Sequence, residues 1–155
     1  MLVRLRADYS TFEFRDYNGD GYKDLLLELG GNTPGWMDVY LYSPARRVFE
    51  KLKDAREFPA PEKIKGTRYY YSYHHSGCAD EDWDSDLFYI HNGAAVRLGN
   101  IYGDRCTLDG IYISKVRLGK KQLIKKLPLE MIHRYKGDKW GFIEAYWKKH
   151  YKSFI

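Results

Sequence analysis

At 155 residues the chain can bury a core of its own without covalent staples, and one domain is the expected organisation. Two cysteines cannot furnish a zinc set alone, and the lack of a CxxC pair argues against redox chemistry. The net charge of +5 is unevenly spread, with −4 on residues 1–114 and +9 on residues 115–155, so an acidic body carries a basic tail.

Aromatic residues make up 17% of the chain, 15 of them tyrosine, a side chain that packs its ring in a half-buried strand while its hydroxyl stays wet. A β-rich body follows. The opening LVRLRA, residues 2–7, and TFEFRD, residues 11–16, alternate apolar and charged side chains with the period of strands that have one wet face. Met1 leads straight into the first of these, so the sequence as written reads without a signal peptide, and no apolar run reaches the length of a bilayer span. That start suits either a cytoplasmic protein or the mature part of an exported one.

Residues 16–24, DYNGDGYKD, place Asp16, Asn18, Asp20 and Asp24 at positions 1, 3, 5 and 9 of a loop with Gly21 at position 6. Oxygen-bearing side chains at alternate positions converge on a hard cation, glycine supplies the sharp turn, and the Tyr22 carbonyl at position 7 adds a backbone ligand. Three carboxylates so close repel one another unless a divalent ion sits among them. Position 12, where an EF-hand carries its bidentate glutamate, is Leu27, and the flanks are strand-like, so the expectation is a strand-loop-strand Ca²⁺ site. The competing reading is a metal-free hairpin turn in which Asn18-Gly19 and Asp20-Gly21 accept positive φ.

DLLLELG then returns as a strand, and residues 30–35, dense in glycine and proline, form a loop. WMDVYLYS reads as a strand, ARRVFEKLK as a strand or a short helical turn, and FPAPEKIKG as a loop. TRYYYSYHH is a strand by its aromatic content. Two strand-like runs flank Asn92-Gly93, the dipeptide best suited to a type I′ turn, and should pair as a hairpin. DGIYISKVRL and KKQLIKKL are further strands, LPLEMIHRY a short helix, and from Asp138, the expected N-cap, Trp140, Ile143, Trp147, Tyr151 and Phe154 recur on one helical face. That stripe is expected to pack on the sheet, and the lysines around it to form a solvated face rather than a nucleic-acid site. No internal repeat of fixed period is present, which argues against a propeller. The fold class is therefore mainly β: an antiparallel, sandwich-like body over residues 1–127 closed by an amphipathic helical tail over residues 128–155.

A second dense patch, HHSGCADEDWDSD, spans residues 74–86. Asp82, Asp84 and Asp86 imitate the start of a calcium loop, but Leu87 stands where the turn needs glycine. His74 and His75 point to opposite faces of a continuing strand, and the spacing names no third group to orient a cysteine nucleophile, so no enzyme is expected here. An exposed acidic loop suits a positively charged partner; a solvated hairpin end is the plainer alternative. Cys78 and Cys106 are two buried thiols or one disulfide, and the Gly-containing turns before them favour the disulfide.

The D-x-N-x-D-G-x-x-D loop resembles the calcium hairpins of FG-GAP and integrin-type repeats, which also use position 9. Together with a Gly-rich turn, a Tyr-rich strand and a Ser-Gly loop before a hairpin, over residues 10–106, it resembles bacterial proteins related to periplasmic inhibitors of invertebrate-type lysozyme, a group that includes immunity proteins paired with lysozyme-like toxins. The resemblance implies a β-sandwich-like domain that binds calcium in its first hairpin and blocks a peptidoglycan-cleaving enzyme with an inserted Ser-Gly-x-x-Tyr loop. Ser76 and Gly77 match that loop, and Asp80 takes its last position. The expected function is a non-enzymatic, calcium-binding envelope protein, periplasmic or secreted, that contacts a muramidase through Ser76, Gly77, Asp80, Asp82 and Asp84. The alternative is a calcium-stabilised adhesive or glycan-binding module.

Overall fold

A computed structural model describes residues 8–32 and 34–155, so the strand expected over residues 2–7 lies outside the described residues, as does Thr33 in the first Gly-rich loop. The chain clusters into two compact units, Met1–Ala60 with Ile90–Ala95, and Pro61–Tyr89 with Val96–Ile155. The class is as expected: antiparallel β sheets and a C-terminal helix.

The first unit holds a four-stranded meander of β1 (Tyr9–Arg15), β2 (Asp24–Leu29), β3 (Met37–Ser43) and β4 (Val48–Lys51), hydrogen-bonded in that order. ARRVFEKLK thus yields a strand, not a helical turn. Register pairs Phe14 with Leu25, Phe12 with Leu27 and Leu26 with Val39. Leu25, Leu26 and Leu27 are all buried, as a continuous apolar run requires of a strand covered on both faces, and Val39, Leu52 and Phe58 complete this core. Asp38, 1% exposed, accepts both Arg56 guanidinium hydrogen bonds at 2.7 Å, a 3.1 Å contact from Lys51 Nζ and a short hydrogen bond from the Tyr9 hydroxyl. Burial alone would raise this carboxyl, but its hydrogen bonds from Arg56, Tyr9 and Lys51 prevail and hold it well below the usual carboxylate range.

The second unit is built on a sheet of β5 (Glu62–Lys63), β6 (Tyr69–Tyr71), β7 (His74–Gly77), β8 (Asp82–His91), β9 (Ala94–Asp104), β10 (Gly110–Arg117) and β11 (Lys120–Leu127), of which the β8–β9 tip, Ile90–Ala95, is grouped with the first unit. Its order is β11-β10-β9-β8-β6-β5, with β7 also paired to β8. Asn92-Gly93 is the turn between β8 and β9, both residues at positive φ, as the dipeptide indicated. The strand β8 begins at Asp82, earlier than its apolar run suggests, because Trp83, Ser85 and Leu87 alternate inward and set the period from there.

The helix α1 (Lys139–His150) lies against this sheet, and Trp83, Leu87, Ile101, Ile111 and Ile113 meet Leu129, Phe142, Ile143, Trp147 and Phe154 in one cluster. Each such fully buried side chain contributes about 1.5–3 kcal/mol. The Trp147 indole N–H donates to Ser85 Oγ at 2.8 Å, so the largest ring in the helix brings its polar atom to a partner. One local expectation fails: Trp140 is 51% exposed and Phe142 takes its place in the core. Asp138 is the N-cap residue of α1, as expected, but at φ 52° its side chain makes no capping hydrogen bond, and its carboxylate faces His133 Nδ1 at 3.1 Å. LEMIHR before it is a 3₁₀ turn.

Candidate functional site

The Asp-rich bend between β1 and β2 is organised from within. Asp16 accepts hydrogen bonds from the Gly19 and Asp20 N–H on one oxygen, at 2.7 and 3.1 Å, and from the Gly21 N–H on the other at 2.9 Å. Asn18 Oδ1 accepts from Asp20 N–H at 3.0 Å, and Asp20 Oδ1 from Tyr22 N–H at 2.8 Å. These nested side-chain turns wind the backbone around the carboxylates, and Gly21 at φ 89° makes the reversal that a β-carbon would oppose. Asp24 is fully buried and serves as the anchor: one oxygen accepts from Tyr17 N–H at 2.9 Å, the other from Tyr42 N–H at 2.8 Å on β3.

The donor set of Asp16, Asn18, Asp20, Asp24 and the Tyr22 carbonyl is all oxygen, the chemistry Ca²⁺ prefers, and each carboxylate oxygen that accepts one N–H retains a second lone pair. Asp16, Asp20 and Asp24 do not bring one oxygen each within 4.8 Å of one another. Among the described residues the side chains that do converge so closely are Cys78, Asp82 and Cys106, and there the two sulfurs are joined in a disulfide.

That disulfide pins the second candidate loop, which leaves β7 at Gly77 and enters β8 at Asp82. Four consecutive residues have positive φ: Gly77 at 142°, Cys78 at 52°, Ala79 at 50° and Asp80 at 72°. For the last three this backbone costs about 1–2 kcal/mol each and persists only where the surroundings dictate it. The surroundings are specific. Asp80 accepts from the Tyr73 hydroxyl at 3.0 Å and pairs with Lys139 Nζ at 2.9 Å, while the same ammonium donates to the Asp80 carbonyl at 2.7 Å. The Lys139 hydrogen bond, opposed by modest burial, holds the Asp80 carboxyl below its ordinary value. Tyr73 and Trp140 lie ring against ring at 3.8 Å beside this pair.

The structure separates the acids that the sequence grouped. Ser76, Gly77 and Asp80 are exposed, and Glu81 beside them is exposed too. Asp82 is 8% exposed and points inward: its Oδ1 accepts the Arg105 N–H at 2.7 Å and the Cys106 N–H at 3.4 Å, which ties the loop to the end of β9. Asp84 is half-buried between His74 Nε2 at 3.6 Å and the Asn100 amide at 3.1 Å. Asp82 and Asp84 support the loop from beneath, leaving Asp80 as the acid of the three that projects. Tyr102 on β9 lies above its ordinary pKa through burial and the nearby Asp104, Asp82 and Asp84 carboxylates. Nothing local in the sequence links Tyr102 on β9, or Lys139 and Trp140 on α1, to this loop, since they come from elements distant in the chain. A cavity of about 280 Å³ beside the loop is lined by Asp80, Glu81, Trp83, Arg105 and Trp140 among others, and neither His74 nor His75 lines it.

No protein-family profile matches the chain, and no curated protein matches it. Among solved structures it resembles one described as a Xanthomonas type IV secretion system related protein, with a TM-score of 0.58 and 20% identity. The match covers 74% of this chain and 57% of that one. At that identity the likeness is one of fold, and the chain spans little more than half the length of the structure it matches.

Proposed function

We propose that the protein is a non-enzymatic, calcium-binding component of the bacterial cell envelope that blocks a peptidoglycan-cleaving enzyme, a lysozyme or lysozyme-like toxin, with the loop from Ser76 to Glu81. The observation that carries this reading is the projecting loop itself, held in a left-handed backbone by a disulfide, a buried aspartate and a lysine ion pair. A loop ordered before the encounter binds without a further ordering penalty, which is how rigid inhibitors reach high affinity on small interfaces. Ser76, Gly77, Asp80 and Glu81 make the contact; Asp82 and Asp84 hold it in shape. The disulfide is stable in an oxidising compartment, which suits a periplasmic or secreted location. The fold shared with a protein related to a secretion system lends support from context. No helix among the described residues is long and apolar enough to cross a membrane.

In this reading Asp16, Asn18, Asp20, Asp24 and the Tyr22 carbonyl hold one Ca²⁺, which neutralises the bend and locks β1 to β2. At a hundredfold excess over its dissociation constant the ion adds about 2.7 kcal/mol of stability. Calcium raises the melting temperature, EDTA reverses it, and Asp20→Ala abolishes the response; an equal melt in all three conditions removes the ion. Inhibition of peptidoglycan cleavage, measured across a panel of muramidases, falls sharply for Asp80→Lys with Glu81→Lys. Undiminished inhibition by that variant rules the loop out.

An alternative reading, a glycan-binding module, draws on the first unit. Phe12, Phe14 and Tyr22 are 62%, 48% and 47% exposed, and Phe14 and Tyr22 adjoin Phe49 and Tyr42 in a run of rings that suits the apolar face of a sugar. Binding on a glycan array that disappears in Phe12→Ala but survives Asp80→Lys selects this reading over the first.

A further inference from the structure

The +9 charge of residues 115–155 gathers on one hairpin and the end of one helix. Between Gly110 and Leu129 the chain has six cations, Lys115, Arg117, Lys120, Lys121, Lys125 and Lys126, and not a single carboxylate side chain. Lys148, Lys149 and Lys152 follow at the end of α1. Burial holds His150 below its usual pKa, and the Lys149 and Lys125 charges add to the effect.

Lysines along an edge strand such as β11 ordinarily guard it against pairing with other chains. That protection does not account for the apolar residues set among them. Leu118, at the tip of the β10–β11 turn, is 102% exposed, and Leu123 and Ile124 on β11 are 57% and 44% exposed. Leu118 has φ 50°, at a turn position that favours Asn, Asp or Gly, so leucine there opposes both turn chemistry and burial. Nothing within the second unit is gained by that choice.

We propose that the β10–β11 hairpin is a peripheral anchor for an anionic phospholipid surface, with Leu118 entering the acyl boundary and Arg117, Lys120, Lys125 and Lys126 meeting headgroup phosphates, while Lys121 donates to Asn100 Oδ1 at 2.9 Å. Charge complementarity alone would equally suit a nucleic acid. The exposed Leu118, Leu123 and Ile124 select the bilayer, because a polyanion offers them no apolar medium while an interface takes both halves of such a surface. This anchor stands independently of the loop proposed to bind an enzyme.

Co-sedimentation with phosphatidylcholine vesicles, with and without about one third phosphatidylglycerol, tests it. The protein should pellet with the anionic vesicles and not the neutral ones, and release in high salt. Leu118→Asn, which suits the turn better, should lower vesicle affinity about tenfold or more while its melting temperature holds or rises. Lys120→Glu with Lys125→Glu should abolish binding. No sedimentation with anionic vesicles, or full binding by Leu118→Asn, overturns the proposal. So does a double-stranded DNA oligonucleotide that binds native protein and Leu118→Asn equally well and displaces both from vesicles.

Discussion

Replacing Cys78 and Cys106 together by serine removes the covalent tie across a separation of 28 residues. The chain-entropy relation assigns a closed loop of that size about 3.6 kcal/mol. Against it stand Cys78, Ala79 and Asp80 in left-handed conformations, which together cost about 3–6 kcal/mol. The disulfide is therefore comparable to the strain it opposes, and the remaining ties are the part-buried hydrogen bonds from the Arg105 and Cys106 N–H groups to Asp82 and the exposed pair of Lys139 with Asp80. The variant should lose about 3–4 kcal/mol in urea unfolding, and for a chain of this length its melting temperature should fall by about 7–14 °C. Hydrogen exchange should localise the change: amides of residues 77–81 lose protection first, while those of β8, β9 and β10 follow only global unfolding. If the variant melts within about 1 °C of the native protein and the loop amides exchange at native rates, the loop is not held as argued.

Asp38→Ala leaves Arg56 and Lys51 without their shared carboxylate and should cost about 2–4 kcal/mol, reduced from the fully buried case because both cations are half exposed. Because the folded Asp38 carboxyl lies below its unfolded value, its contribution is complete above about pH 4 and declines as the pH falls toward the depressed folded value. Asp38→Asn should accordingly flatten the acid limb of a stability profile. Gly103→Ala would bring a β-carbon within 2.2 Å of the Trp83 ring and should destabilise by about 1–3 kcal/mol or more, read as a shifted urea midpoint with unchanged slope. Trp147→Phe removes the donor to buried Ser85, and a double-mutant cycle with Ser85→Ala should show a coupling of about 1 kcal/mol.

Local chemistry made much of this fold legible. Asn92-Gly93 marked its hairpin because the turn type demands those two residues, and DLLLELG marked β2 because an unbroken apolar run of that length suits a strand covered on both faces. The helix and its inward stripe of Ile143, Trp147, Tyr151 and Phe154 are legible from period alone, with Trp140 the exception. Period alone cannot say whether Trp140 or Phe142 turns inward, since that depends on the space the sheet leaves, and Phe142 fits against Trp83 while Trp140 lies against Tyr73. The acids of the second loop were invisible for a similar reason. Asp82, Asp84 and Asp86 read alike in sequence, yet the N–H groups of Arg105 and Cys106 lie far along the chain and draw Asp82 inward. The Asp-rich bend needed no such distant knowledge, because most of its hydrogen bonds fall within six residues of their donors.

The first compact unit is discontinuous: it includes Ile90–Ala95, where Lys53 N–H donates to the Gly93 carbonyl at 2.9 Å and Ala95 N–H donates to the Lys53 carbonyl at 2.9 Å. During synthesis, a ribosome that has released only residues up to Ala60 has produced the meander without the hexapeptide that finishes it. Completion must wait until Ala95 has emerged, by which time Pro61–Tyr89 of the next unit is already outside the exit tunnel. A gene fragment ending at Ala60 would likewise encode an unfinished body, and a circular permutant opened at Asn92 would cut the very segment that closes it.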